Sequence, residues 1–577
     1  MKLTQVLLGT ATFTLLGGSV FAQSSETTSS LPPRHHHHYS AIELRLQRME
    51  AEIEQLKAQL ARQQASGGAT TAGATPQPQP QPQVSAAQFE ALQNQVYETQ
   101  ATVNEATKPK DKKIHMKGIT VTLGGFAAAE SVYRSRAEQA DIGSSFSGIP
   151  FRGPASSTSA ANGRMGEWRM TARQSRVSAL VQGSPDADTL LSMYGEFDFL
   201  GAAASANSNE SNSYTPRVRV LYGTADWNDL GLEFLFGQSW SLATLTGSGM
   251  SPRSELPPPT IDAQYVVGFD WTRQPQLRLV KDFDDQVWVG LSVENPQTIF
   301  GGTAPTGLAF LNYNTGSGFN GGTGSAGAEF NPGITLSFNH VPDIIGKIAF
   351  EPAMFDGNVH LELFGIYRDF YDRSGVTLAT TSNHDTSGGG VGANALIKLL
   401  PGLLDLQADA LFGSGIGRYG SGQLPDVTWK ANGEPAPLTE NIEMVGLTLH
   451  ATPDLDLYAF GGHEQELSGY GTKNLLGAKD QFGYGDPFYD NTGCFAFDAS
   501  GKCTGNTRAL WQIAPGLWWT AYAGDFGKFR VGLQYSYTER KAFPGLDATP
   551  SNPTGVGGRA PTAIDQMVFT SFRYYPF

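Results

Sequence analysis

From residue 119 to the C-terminus, apolar and polar residues alternate with a period of two in one short run after another. Leu191, Met193, Phe197 and Phe199 share one parity, while Ser192, Tyr194, Glu196 and Asp198 share the other. A strand points alternate side chains to opposite faces, so this segment has one apolar face and one that carries two carboxylates. Val218, Val220 and Tyr222 fall on the apolar parity of a later run, opposite Arg217 and Arg219. The cleanest run sets Phe529, Val531, Leu533, Tyr535 and Tyr537 against Arg530, Gly532, Gln534, Ser536 and Thr538. Sixteen extended segments are predicted, at 119–133, 168–181, 190–200, 217–227, 232–240, 269–280, 287–294, 334–339, 360–370, 389–399, 404–412, 442–451, 455–462, 510–523, 528–538 and 564–577.

The connections alternate in length. Short ones at 226–231, 282–285, 401–402, 453–456 and 524–527 carry Pro, Gly and Asp turn chemistry. Long ones at 137–166, 242–266, 299–330, 414–439, 465–507 and 542–561 are rich in Gly, Ser, Thr and Asn. That rhythm marks an outer-membrane barrel with tight periplasmic turns and long external loops; a soluble sandwich has no reason for it. The connection at 342–357 breaks the rhythm and has room for a short helix at 343–350. Phe577 ends the chain with Tyr575 at the same parity, as in the C-terminal signal read by the barrel-assembly machinery, although Ser571 and Arg573 stand where that signal is apolar.

Before residue 119 the pattern differs. Residues 1–22 have a basic start, an apolar stretch and a Val20-Phe21-Ala22 cleavage site, the form of an export signal. A His/Pro stub follows at 23–39, with four consecutive histidines that read either as a metal-trapping tract or as a low-complexity segment. Over 40–65, Ile42, Leu46, Met49, Ile53, Leu56 and Leu60 recur at alternating spacings of four and three, an a/d coiled-coil seam. So short a seam predicts self-association supported by another oligomeric part of the chain. A Gly/Ala then Pro/Gln linker (66–84) and a short helix with a basic junction (85–113) lead into the barrel at 114–577. The fold class is thus an all-β transmembrane antiparallel β-barrel with an N-terminal α-helical coiled-coil extension, placed in the outer membrane of a Gram-negative bacterium with the coiled coil in the periplasm.

Composition narrows the partners. The net charge of −14 argues against nucleic acid. The two cysteines, Cys494 and Cys503, lie close together, and an oxidising compartment pairs them as a disulfide. A metal or redox pair is the alternative, but no second cysteine pair or neighbouring histidine accompanies them. No metal site or cofactor is predicted.

A barrel of this size keeps an aqueous lumen, and function reduces to what lines it. The inward parity carries Arg217 and Arg219, with Arg173 and either Arg169 or Arg176 beside them, Glu196 and Asp198 between, and Gln276 and Arg278 further on. Two readings stand: a basic ladder favouring anionic solutes, or a lumen kept soluble by balanced charge. The loop at 242–266, with Arg253 and Glu255, is a candidate constriction or a surface loop.

Several short motifs, in order, resemble the DcaP-like porins: Thr171-Ala-Arg-Gln-Ser-Arg176, Gly195-Glu-Phe-Asp-Phe-Leu-Gly201, Phe236-Gly-Gln-Ser-Trp-Ser241, Arg273-Gln-Pro-Gln-Leu-Arg278, Val341-Pro-Asp343 and Gly413-Ser-Gly-Ile-Gly-Arg-Tyr419. The resemblance implies a homotrimer with a periplasmic coiled coil that admits small anions such as dicarboxylates. It points to Arg173, Arg176, Arg217, Arg219 and Arg278 as lumen residues. The Pro/Gln spacer and histidine tract depart from that pattern. The expected partners are further copies of the chain, outer-membrane lipid and lipopolysaccharide, the assembly machinery through Phe577, and small anionic solutes. Two alternatives are kept: a phosphate-selective porin, which would need lumen lysines, and a structural tether gripping peptidoglycan through the coiled coil. No enzyme is predicted, because no histidine of the barrel region stands beside a nucleophile motif.

Overall fold

The computed structural model describes residues 113–152, 162–201, 209, 214–310, 337–475, 478–495, 503, 505–546 and 558–577. The signal segment, the His/Pro stub, the coiled-coil seam, the linker and most of the junction lie outside the described residues.

The strands are β1 (Ile119–Arg134), β2 in two pieces (Glu167–Thr171 and Arg176–Gly183), β3 (Thr189–Asp198), β4 (Arg217–Trp227), β5 (Leu232–Trp240), β6 (Arg273–Phe283), β7 (Val287–Glu294) and β8 (Asp343–Phe350). They continue as β9 (Val359–Gly375), β10 (Ser382–Leu400), β11 (Leu404–Ser414), β12 (Thr439–Thr452), β13 (Leu455–Glu466), β14 (Thr507–Gly524), β15 (Gly527–Ala542) and β16 (Thr562–Tyr575). Each pairs antiparallel with the next, and β16 closes on β1 with Ala127 opposite Tyr574 and Arg134 opposite Met567. The result is a closed sixteen-stranded barrel, which leaves no unpaired edge in lipid. No helix among the described residues is long and apolar enough to cross a membrane. A short strand, Lys113–Met116, turns back on β1 and pairs with it at the end that β16 does not reach.

The alternation read from the sequence is the inside–outside alternation of the wall. Leu191, Met193 and Phe197 are exposed on the outer face of β3, and Ser192 and Asp198 are buried on the inner face. Leu277 and Leu279 of β6, Val289, Leu291 and Val293 of β7, and Leu361 and Leu363 of β9 repeat the apolar exterior. Gln276, Arg278, Ser292, Glu294, His360 and Glu362 face in.

Three details differ from the expectation. The eighth strand is Asp343–Phe350, the stretch read as a helix in a turn, and not 334–339; residues 337–339 carry no strand and 334–336 lie outside the described residues. Its inward positions include Ile345 and Ala349, which pack under a loop inside the barrel, so alternation is blurred there. The short–long rhythm is restored, because the turn before β9 is only 351–358. Second, Val220 and Tyr222 are buried inside the barrel while Val218 and Leu221 face out. Glu196 pairs with Val220 and Phe197 with Val218, leaving Arg219 as the extra residue of a bulge that reverses the parity. Third, the outward positions of β16 are Val568, Phe572 and Tyr574, and Ser571 and Arg573 are polar because they face the lumen.

The loop at 241–272 folds into the lumen and organises its interior. Its first half is held by the β7–β11 wall: Leu242 N donates to Glu294 Oε1 (2.8 Å), Lys347 Nζ to Thr244 O (2.8 Å), Asn394 Nδ2 to Ala243 O (2.9 Å) and Gln407 Nε2 to Leu256 O (3.1 Å). Its second half reaches the opposite side: Trp518 Nε1 donates to Pro259 O (2.7 Å), Ile261 N to Gln534 Oε1 (2.5 Å), Val267 N to Gln512 Oε1 (3.0 Å) and Gly268 N to Glu464 Oε1 (2.8 Å). Ile261, Tyr265, Val266 and Phe269 join Val220, Tyr222, Tyr458, Phe460, Trp518 and Phe569 in one buried cluster. Polar wall groups thus satisfy the loop backbone, and apolar packing holds it across the lumen.

Gly268 is required for this seating. Its φ is +88°, and a Cβ there would run into the Glu443 carbonyl. Gly268→Ala is expected to destabilise the barrel by about 1–2 kcal/mol. Thermal unfolding, followed by the heat-dependent gel mobility of a folded barrel, measures it; an unchanged transition would mean that the loop is not seated there.

Candidate functional site

The crossing loop divides the charged groups of the lumen into a sealed set and an accessible one. On the β8–β11 side, Lys347 and Glu362 pair at 2.5 Å with both side chains 0 % exposed. His360 bridges Glu362 (3.0 Å) and Glu351 (2.8 Å). Arg368 is pinned between Asp343 (3.3 Å) and Asp426 (2.5 Å). Lys347, His360 and Glu362 lie under the loop, and Arg368 under the 415–438 segment through Gly415 O and Asp426, with the side chains of all four closed to solute.

On the other side, β3 projects Glu196 and Asp198 inward between the arginines of β2 and β4. Arg217 makes a two-pronged pair with Asp198, Nε to Oδ1 at 3.0 Å and Nη2 to Oδ2 at 2.7 Å. Arg219, re-aimed by the bulge, donates to Glu196 through Nε, to Asp198 Oδ2 at 3.1 Å and to the Tyr265 hydroxyl at 3.5 Å. Arg176 Nη1 lies 3.7 Å from Glu196. Two of the arginine side chains keep contact with the lumen, Arg217 at 37 % and Arg176 at 26 % exposed, against 16 % for Glu196 and 0 % for Asp198, while Arg219 is buried at 4 %. Three guanidiniums therefore surround two carboxylates, and Arg217 and Arg176 are the most accessible members of the cluster.

The other predicted residues are placed as follows. Arg173, in the gap between the two pieces of β2, donates to Asp141 (2.8 Å), Phe199 O (3.0 Å) and Gly201 O (2.8 Å) and lies over Tyr214. It ties two external loops at the mouth and is not part of the Glu196–Asp198 cluster. Arg278 is buried and donates to Gln276 Oε1 (3.0 Å) and Trp240 O (2.5 Å), supporting the start of the crossing loop. Arg253 sits at the inner tip of that loop with φ +74°, 3.4 Å from the Tyr222 hydroxyl and over the Tyr194 ring. Glu255 accepts the Arg253 N–H at 2.8 Å, and burial pushes its carboxyl above the ordinary value. Burial likewise pushes up Asp262, against the Ser144 hydrogen bond and the Arg134 charge that oppose it. Cys494 and Cys503 are joined by a disulfide, with Cys494 packed on Ile149, Phe151, Ala542 and Ala563 above the barrel. Among the described residues no group of His, Cys, Asp and Glu is arranged to hold a metal ion.

Two further lumen arginines were not singled out from the sequence. Arg273, at the start of β6, lies over the neighbouring Trp240 and Trp271 rings, 5.0 and 5.2 Å from their centroids. Among the described residues no carboxylate pairs with it, and its Nε and Nη1 are buried without an acceptor. Arg573 pairs with Glu130 at 2.8 Å beside Phe126 and Trp518. A guanidinium set over two adjoining indoles is oriented by their negative faces without being tied up in an ion pair.

A closed barrel with an apolar exterior, a loop folded across a polar lumen and accessible charge on one side of the passage is the architecture of an outer-membrane porin. No protein-family model and no curated protein sequence matches the chain. Among solved structures, the outer membrane channel DcaP of Acinetobacter baumannii aligns at TM-score 0.50 and 17 % identity, over 80 % of this chain and 99 % of that one. An anion-selective porin from Comamonas acidovorans aligns at TM-score 0.42 and 11 % identity (79 % and 99 %), and OprB of Pseudomonas putida at 0.40 and 10 % (78 % and 94 %). The likeness to DcaP is one of fold.

Proposed function

We propose that this chain is a porin that passes small hydrophilic solutes by diffusion and favours anions, dicarboxylates among them. The observation that carries this reading is the gathering of Arg176, Arg217, Arg219 and Arg273 around Glu196 and Asp198, with Arg217 and Arg176 open to the lumen and Arg273 in no ion pair among the described residues. Two arginine forks on one wall suit a solute with two separated carboxylates, each of which accepts paired hydrogen bonds. The phosphate-porin reading would need lysines facing the passage, whereas Lys347 is sealed beneath the crossing loop. A homotrimer with the coiled coil in the periplasm, as the resemblance implies, completes the proposal. The coiled-coil seam and the tether reading rest on sequence alone.

The test is solute entry into liposomes containing the purified protein. Succinate is expected to enter several times faster than a diamine of similar size. Equal rates, or faster diamine entry, would remove the anion preference and leave a general porin.

A further inference from the structure

The outer wall carries a polar notch that lumen transport does not use. It lies where β13, β14 and β15 approach the external rim, is lined by His463, Gln465, Arg508 and Lys541 over a floor of small residues including Ala509 and Ala542, and encloses ≈ 230 Å³.

 A space of ≈ 230 Å³ accommodates a phosphate group with part of the sugar that bears it.

The notch is built by the strand register. Gln465 stands opposite Ala509, and Ala509 opposite Lys541, in one outward row across three strands. Thr507 pairs with Ala542 and Ala509 with Lys541, so Arg508 is the extra residue of a bulge that turns its side chain outward, where it is exposed. Glu539 holds the Lys541 ammonium at 2.7 Å, and Asn441 lies 3.4 Å from the His463 ring.

Its height on the wall identifies the environment. Trp511 stands one outward position below Ala509, is 44 % exposed and packs edge-on against Tyr537 at 5.8 Å. On the same strand Trp519 and Tyr522 are exposed towards the periplasmic end, with Ile513 between. From Trp511 to Tyr522 is roughly 36 Å along a strand, or about 25 Å of height at the usual tilt, the height of the lipid-facing band of such barrels. Trp511 therefore belongs to the external aromatic girdle, and the notch sits just above it, at the level of outer-leaflet headgroups.

We propose that this notch binds a phosphate of lipopolysaccharide, with Arg508 and Lys541 as the charged donors and Gln465 and His463 completing the polar wall. Arg508 supplies a fork that matches phosphate oxygens, Lys541 a point charge, and the alanine floor lets the headgroup approach the sheet. The proposal rests on the barrel lying in the outer membrane and not on the anion preference of the pore, so conductance is measured in parallel to keep the two apart.

The test uses the full-length mature protein in detergent and fluorescent bisphosphoryl lipid A. Binding is expected to weaken about tenfold in the Arg508→Ala/Lys541→Ala double variant, with single-channel conductance unchanged. Lys430→Ala, which removes an exposed charge from the external loop at 415–438, is expected to bind as the wild type does. Arg508→Gln, which keeps most of the side-chain length, is expected to lose about threefold and carries the test if the double variant does not fold. Equal binding by wild type and the Arg508 variants would overturn the proposal. So would competition by inorganic phosphate at the same concentration as lipid A, because the site would then recognise a free anion and not a lipid.

Discussion

Truncating Glu362 to alanine is expected to destabilise the barrel by about 3–5 kcal/mol and to loosen the loop that narrows the lumen. Glu362 is fully buried and acts as the hub of the loop's attachment. It accepts from Lys347 (2.5 Å), the Thr246 hydroxyl (2.6 Å), Thr246 N (3.0 Å) and Asn394 (3.1 Å), and it contacts His360 at 3.0 Å. Without it, Lys347 keeps only the Thr244 carbonyl at 2.8 Å as a hydrogen-bond partner among the described residues, and a buried ammonium loses its paired carboxylate. Glu362→Gln keeps the volume and one acceptor, and is expected to fall between alanine and wild type. Thermal unfolding reads the first effect, and open-channel current noise reads the second. Wild-type stability with a quiet channel in Glu362→Ala would mean that the loop is held by its apolar cluster alone.

The second large effect is a contrast between two arginines. Arg219→Ala is expected to turn the passage towards cations and to destabilise the protein, because Glu196 and Asp198 each lose a partner in a confined site. Arg273→Ala is expected to lower the anion-to-cation permeability ratio about three- to tenfold, from the loss of an interaction on the order of 1 kcal/mol, with little change in stability. The difference arises because Arg273 pairs with no carboxylate among the described residues and is held by the Trp240 and Trp271 rings. Reversal potentials and unfolding temperatures of both variants separate the two effects. If the variants behave alike, Arg273 is only a packing group.

Much of this was legible before the fold was known. The parity of Leu191, Met193 and Phe197 against Ser192, Glu196 and Asp198 places the lipid and lumen faces of β3 correctly, because period-two alternation survives wherever one face meets lipid and the other meets polar groups. It fails where the inner face is also apolar. Ile345 and Ala349 pack beneath the crossing loop, so β8 has apolar residues on both faces and reads as a helix. Val220 and Tyr222 were placed outside because a bulge shifts parity by one, and a single sequence gives no sign of it.

The lumen arginines of β2–β4 were legible because their carboxylate partners occupy the intervening strand. Arg273 was not, because what distinguishes it is the pair of indoles around it. One of these, Trp240, stands on the preceding strand and meets it only across the β5–β6 register. Arg573 looked like a flaw in an apolar C-terminal signal, whereas its inward parity and its pair with Glu130 explain the charge. The inward course of the loop at 241–272 was one of two readings, since its backbone partners come from strands spread over the whole barrel.

The most direct measurement is the reversal potential of the wild-type protein in a planar bilayer under a potassium chloride gradient, with succinate then added to one side. An arginine-lined passage predicts a potential of the sign set by chloride and a partial block of chloride current by succinate. A potential of the sign set by potassium, or no conductance at all, would contradict it.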